Sequence, residues 1–218
     1  MSGSNLSRWA GLSAVVAGVL YLAQIIIRPP EDLSSVVTSS WAIANYLLLG
    51  YFVFGLLGIS GIYARQVEEA GLLGLVGFLM FYVNLALSTG FVFFQAFILP
   101  LLATDAPQFV EGFLGILRGS AGEISLGVLE VVLPLAVLLY IVGGLLFGIS
   151  ILRAGIFPRW AAIVFIIGTM SALSVTQLPE GVGRFAAVPY GLGLAWLGYA
   201  LWSERREKAS EPLPAMQS

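Results

Sequence analysis

Six stretches of about twenty mostly apolar residues run through the sequence, and nothing else in it constrains the fold as strongly. A helix needs roughly 20 such residues to cross about 30 Å of hydrocarbon. The stretches cover residues 9–27, 41–63, 72–99, 126–152, 160–178 and 186–202. None alternates strictly enough for a barrel strand, so helices are the spanning structure left. Arg28-Pro29-Pro30 closes the first stretch, Arg65 follows the second, and Pro100 is expected to stop the third. The expected fold is all-α: a six-transmembrane-helix bundle over residues 1–203 with no soluble domain. Residues 204–218, where charge mixes with two prolines, are expected to form a disordered tail. The first stretch has one positive charge before it, Arg8, and no small-residue cleavage site before Arg28, which favours a retained helix over a signal peptide.

Composition narrows the chemistry. Charged residues make up 10% of the chain, against about a quarter in soluble domains. The chain contains no His and no Cys. His-ligated haem, iron–sulfur clusters, thiolate zinc and Ser-His or Cys-His nucleophiles are therefore excluded. No carboxylate cluster is dense enough to hold a metal, no catalytic residue can be named, and any cofactor stays unspecified. A net charge of −2 offers no basic surface to nucleic acid.

Arginine and lysine set the expected orientation. With six spans, Arg8, Arg65, Arg153, Arg159, Arg205, Arg206 and Lys208 share the side of the termini, and Arg28, Arg118 and Arg184 lie opposite. Seven against three places both termini in the cytoplasm, the pattern of a multi-pass protein of a bacterial cytoplasmic (inner) membrane. Trp9, Trp160 and Trp202 then fall at the inner interface and Trp41 at the outer one. Asp32 is positioned to cap a helix from Leu33, and residues 107–117 put Phe109, Phe113, Leu114 and Leu117 on one face of a short helix expected to lie on the outer leaflet.

Small residues fill the inner halves of the spans: Gly55, Gly58 and Gly61, then Gly71, Gly74 and Gly77, then Gly144 and Gly148. Such spacing lets helix backbones approach closely where lipid gives no hydrophobic drive. Ala10, Ala14 and Gly18 form a stripe on the first span that either packs inside the bundle or docks a membrane protein partner or a second copy. The outer halves carry the polar groups: Gln24, Asn45, Gln95, Glu130, Thr176, Gln177 and Tyr190. Asn84, Ser88 and Gln95 share one helix face. Facing inward, Glu130, Asn84, Gln95, Ser88, Asn45 and Tyr190 would line a ligand pocket open to the outside and closed by the glycine-packed half.

Glu130 is the one acid inside a span, where an ionisable group costs about 2.5–3.5 kcal/mol at mid-helix. Two readings fit it. Either it holds a ligand, cation or proton, or it snorkels outward or stays protonated against a neighbouring amide. Pro134, four residues on, frees its backbone carbonyl and leaves both readings standing. A second pattern, Tyr51-x-Val53-x-Gly55 against Tyr140-x-Val142-x-Gly144, could mark an internal repeat, but Leu/Gly-rich helices match one another easily and coincidence is the simpler reading.

Three segments, Arg8-Trp9-Ala10-Gly11, Arg153-Ala154-Gly155-Ile156-Phe157-Pro158-Arg159-Trp160 and Leu194-Ala195-Trp196-Leu197-Gly198, resemble those of small six-helix bacterial integral membrane proteins of unknown function. That resemblance implies a six-helix bundle and supplies no reaction. The architecture also looks like the substrate-binding subunits of energy-coupling-factor transporters, which implies an outward pocket and a partner docked on the first helix; the likeness is of fold only. Three functions follow as expectations. The first is binding or transport of a small hydrophobic or amphipathic molecule. The second is a structural or accessory subunit packing through its glycine faces. The third, with least support, is an enzyme acting on lipid.

Overall fold

The computed structural model describes residues 3–119, 125–175 and 184–210. Every regular element among them is helical. In chain order these are α1 (Gly3–Ile27), α2 (Leu33–Val36), α3 (Ser39–Arg65), α4 (Val67–Phe93), a π-turn (Phe94–Ile98), α5 (Leu99–Asp105), α6 (Pro107–Leu117), α7 (Leu129–Ala154), α8 (Arg159–Met170), α9 (Ala172–Val175), a 3-10 turn (Arg184–Ala187) and α10 (Val188–Ser210).

Five helical stretches are long and apolar enough to cross a membrane, and their exposed surface is lined with large apolar side chains. These features suggest a multi-pass membrane protein. The stretch expected over 160–178 is shorter than predicted: α8 has 12 residues, about 18 Å of helix, and breaks at Ser171 before α9. Residues 176–178, with Thr176 and Gln177, lie outside the described residues, as do Glu123 and residues 211–218. The tail expected to be disordered from residue 204 continues α10 as helix to Ser210.

Pro100 does not stop the third span. The chain widens into the π-turn, and Pro100 then occupies the first turn of α5, where a missing N–H needs no partner. Helix therefore continues from Val67 to Asp105. Its first turn is set off from the rest at Gly71, whose φ of 57° only glycine adopts freely. Gly155 ends α7 with φ 66°, and Pro158 starts α8.

The helices close into a ring in sequence order: α1 packs on α3, α3 on α4, α4 on α7, α7 on α8, α8 on α10, and α10 back on α1. Small residues allow each approach. A Cβ on Gly58 would meet the Ala14 backbone at 2.7 Å, and one on Gly11 would meet Trp202 N at 2.8 Å. Gly61 sits directly on Ala10, Gly77 on Phe147 and Gly168 on Tyr190. Gly11 meets Trp202 and Gly18 meets Ala195 and Gly191, so α1 and α10 run antiparallel, and the start of α1 and the end of α10 share one end of the bundle, here the terminal end.

The opposite end is capped. Asp32 starts α2 by accepting from Ser35 N at 2.8 Å, and Thr38 starts α3 by accepting from Trp41 N. Hydrogen bonds from the Ser34 hydroxyl and the Ser35 N–H hold the Asp32 carboxyl below the usual aspartate range. Val36 of α2, Val110, Phe113 and Leu114 of α6, and Trp41, Leu99 and Leu133 form a second apolar cluster. The apolar face of α6 thus covers the bundle, where the sequence suggested a helix lying on lipid. A closed ring leaves its mouth apolar, and α6 has a stronger partner there than the bilayer. Trp9 and Trp160 are 62% and 69% exposed at the terminal end, as interfacial tryptophans are. Trp41, expected in the outer belt, is instead fully buried under the cap.

Candidate functional site

The axis of the ring is filled at mid-depth by one aromatic residue from each packed helix: Tyr21 of α1, Tyr51 of α3, Phe81 of α4, Tyr140 of α7, Phe165 of α8 and Tyr190 of α10. Tyr190 is the hub, with ring centroids 4.9–6.3 Å from the other five. Edge-on and tilted geometries dominate, the favourable arrangement for aromatic quadrupoles. The Tyr51 and Tyr190 hydroxyls share a 2.6 Å hydrogen bond at the centre. This layer divides the interior into a capped half and a terminal half.

In the capped half, three buried amides line α1, α3 and the π-turn. Trp41 Nε1 donates to the Gln95 main-chain oxygen at 3.0 Å, and Asn45 Nδ2 donates to the Trp41 carbonyl at 2.9 Å. On α1, Arg28 N bonds back to Gln24 O, and the Arg28 guanidinium lies 6.0 Å from the Trp41 ring. Gln24 and Asn45 thus each sit one turn below the Arg28–Trp41 pair, toward the aromatic layer. Gln95, in the π-turn, is tied to this pair through its main-chain oxygen on Trp41. The side-chain oxygens of Gln24, Asn45 and Gln95 are buried and accept no hydrogen bond, and the same is true of Gln66 Oε1 at the terminal end of the bundle. Leaving one such group unpaired costs about 1–3 kcal/mol. The π-turn holds Gln95 here: its extra residue shifts the helix register at a point where regular α-geometry would aim the side chain elsewhere.

The six residues expected in one pocket divide into groups. Asn45 and Gln95 both lie in the capped half and are linked through Trp41, whose carbonyl accepts from Asn45 and whose indole donates to the Gln95 main-chain oxygen. Asn84 is already bound, donating to Ala136 O at 2.7 Å, with Ser88 3.4 Å away; both lie between the layer and Gln95 along α4. Tyr190 lies in the floor. Glu130 is exposed at the start of α7, where its carboxylate accepts from Leu126 N at 2.7 Å, so it closes the helix start and does not join the chamber. Of its two readings, the outward-pointing one matches this placement. The reason is depth: α7 begins at Leu129, later than the expected 126, so Glu130 falls in the first turn.

Sequence reasoning left Gln24 out of the pocket and missed Tyr21, Tyr51 and Tyr140 as its floor. The available signal was an aromatic residue within each of the six apolar stretches, at depths that differ from one stretch to the next. Of the two readings of the first-helix stripe, packing inside the bundle matches the structure: Ala14 and Gly18 are buried against Gly58 and against Gly191 and Ala195, and the half-buried Ala10 packs on Gly61. A cleft of about 620 Å³ opens at the terminal end, between the start of α1 and the α3–α4 junction. It lies across the aromatic layer from the expected pocket. No group of three or more metal-ligating side chains occurs among the described residues. No family model, curated protein or solved structure matches the chain.

Proposed function

We propose that this is a six-crossing membrane protein that binds a small, uncharged or amphipathic hydrogen-bond donor in the capped half of its bundle. The observation that carries the reading is the trio of unpaired acceptor oxygens on Gln24, Asn45 and Gln95, set above a floor of aromatic rings. Three acceptors with no carboxylate among them match hydroxyl, amide or neutral amine donors, and tyrosine and tryptophan faces match the apolar part. α8 and α9 belong to the fifth crossing. The antiparallel pairing of α1 with α10 supports an even number of crossings, and the excess of basic residues beside the termini supports a cytoplasmic terminal end in a bacterial inner membrane. The aromatic layer favours binding over a standing pore. Packing of the Ala14 and Gly18 stripe inside the bundle leaves it no part in an accessory-subunit interface.

Native mass spectrometry of the detergent-extracted protein tests this. A small-molecule adduct is expected on the wild type and lost in Gln95→Leu and Gln24→Leu. Adduct-free wild type, or adducts unaffected by both substitutions, refutes the reading.

A further inference from the structure

α6 covers the capped end, yet its sequence also suits a second place. Val110, Phe113 and Leu114 form its buried face, with Phe109 and Leu117 half-buried at the edges. Its other face, with Gln108 and Glu111, is exposed. An amphipathic helix of this kind is equally at home in the plane of a membrane–water interface. Swung off the mouth and onto the bilayer surface, the same apolar side chains stay out of water. Much of the burial that holds α6 in place is thus recovered when it leaves, so a single polar tie can weigh in the balance.

The helix is jointed at both ends. Ala106, a single non-helical residue with φ −140° and ψ 58°, separates it from α5, and no side chain caps its start. Gly119, with φ 74°, follows its C-cap residue Arg118. The tie lies at that end: Arg118 Nη1 donates to the Glu31 main-chain oxygen at 2.8 Å. The Glu31 carboxylate in turn accepts from Arg28 Nη2 at 2.7 Å, and the Arg28 guanidinium lies near the Trp41 ring.

Two routes lead from α6 to Gln95. Phe113 and Phe109 meet the Phe94 ring with centroids 5.3 and 6.2 Å apart, and Phe94 is the residue before Gln95 in the π-turn. The chain Arg118–Glu31–Arg28–Trp41 ends on the Gln95 main-chain oxygen, which accepts from Trp41 Nε1.

We propose that α6 is a lid on the capped half, turning about Ala106 and Gly119 between the bundle mouth and the membrane–water interface, with Arg118 on Glu31 as its latch. It rests on the reading of this chain as a membrane protein that binds its ligand in that half, and it gives the ligand a way in: lifting α6 uncovers the Phe94–Gln95 turn. Opening also strips cover from Val36, Trp41 and Leu99 of the same apolar cluster, so the closed arrangement prevails and the open one is a minority state.

The chain has no cysteine, so introduced ones report alone. In the full chain in phosphatidylcholine nanodiscs, Val36→Cys, buried in the cluster that α6 completes, should react slowly with a membrane-impermeant methanethiosulfonate. Adding Arg118→Ala should speed that reaction about three- to tenfold, the worth of one hydrogen bond. Arg118→Lys, which keeps a donor, should change it much less. Ala162→Cys, buried in the main core, should stay unreactive with either residue at 118. Spin labels on cysteines at the exposed positions Ser40 and Glu111 should give one dominant distance, with a longer second population that grows in Arg118→Ala. Val36→Cys labelling unaffected by Arg118→Ala, an equal acceleration at Ala162→Cys, or a single distance unchanged by the variant overturns the proposal. None of these measurements involves a ligand. A moving α6 on a protein with no small-molecule adduct sinks the binding reading and leaves the lid, whereas an adduct on a protein whose α6 stays put sinks the lid alone.

Discussion

Gln95→Leu should make the ligand-free protein more stable while removing its ligand. Gln95 is 4% exposed, and its side-chain oxygen has no donor. An unpaired buried carbonyl of this kind is worth about 1–3 kcal/mol against the fold. Leucine is one atom shorter but of similar volume and has no polar atoms, so that penalty disappears with little change in volume. The main-chain oxygen of residue 95 still accepts from Trp41 Nε1, so the π-turn keeps its brace. The predicted gain is therefore about 1–3 kcal/mol, or roughly a 5- to 150-fold shift in the unfolding equilibrium. Reversible denaturation in mixed micelles gives the free energy, and the same preparations analysed by native mass spectrometry give ligand occupancy. Asn45→Leu serves as internal control. Asn45 Nδ2 donates to Trp41 O, so this substitution loses a bond along with the penalty, and its gain should be smaller. If Gln95→Leu destabilises the protein by a similar amount, the oxygen has a resident donor such as a buried water. In that event the chamber is a structural polar network and the binding reading falls.

Four further outcomes follow from named contacts. Trp41→Phe removes the donor to Gln95 O inside the apolar cap and should cost about 1–3 kcal/mol in the same denaturation assay. Glu130→Gln should leave ligand occupancy unchanged, because the side chain is exposed and only closes the start of α7; loss of the adduct would restore it to the site. Asp32, whose folded-state carboxyl is held below its usual value, stabilises the α2 start above the unfolded aspartate pKa near 4 and loses that contribution as pH falls through the lower folded value. The Ser35 amide resonance should shift over that acidic window in the wild type and stay constant in Asp32→Asn, which caps without titrating. Gly168→Ala should separate α8 from the Tyr190 backbone it touches. The expected loss is about 1–3 kcal/mol, accompanied by a change in tyrosine absorbance as the central layer opens.

The parts of this protein legible in its sequence are those fixed by one helix at a time. Five of the six apolar stretches fold as helices long enough to cross a membrane, and Gly155, Pro158, Asp32 and the close-packed glycines Gly58, Gly61, Gly74, Gly77, Gly144 and Gly148 behaved as local chemistry dictates, whereas Gly71 bends the chain and packs on nothing. What escaped reading depends on how helices meet. Trp41 reads as an interfacial anchor from its position next to a span, but α2 and α6 fold over it, and only the closed ring supplies the apolar mouth they cover. Pro100 reads as a stop because an isolated α-helix cannot absorb it; the five-residue π-turn just before it can. Glu130 looks intramembrane on an apolar run that begins at 126, and a start three residues later moves it to the surface. The chamber shows the same division. That polar residues gather toward one end of the spans is visible in the linear order, whereas which of them find partners is not. Asn84 is satisfied by a carbonyl 52 positions away on α7, and Gln24, with an equally ordinary sequence context, is not. An unpaired buried acceptor is a property of the assembled ring, so it is at such atoms, and not at the most conspicuous charge, that a binding function in a helical membrane bundle is best sought.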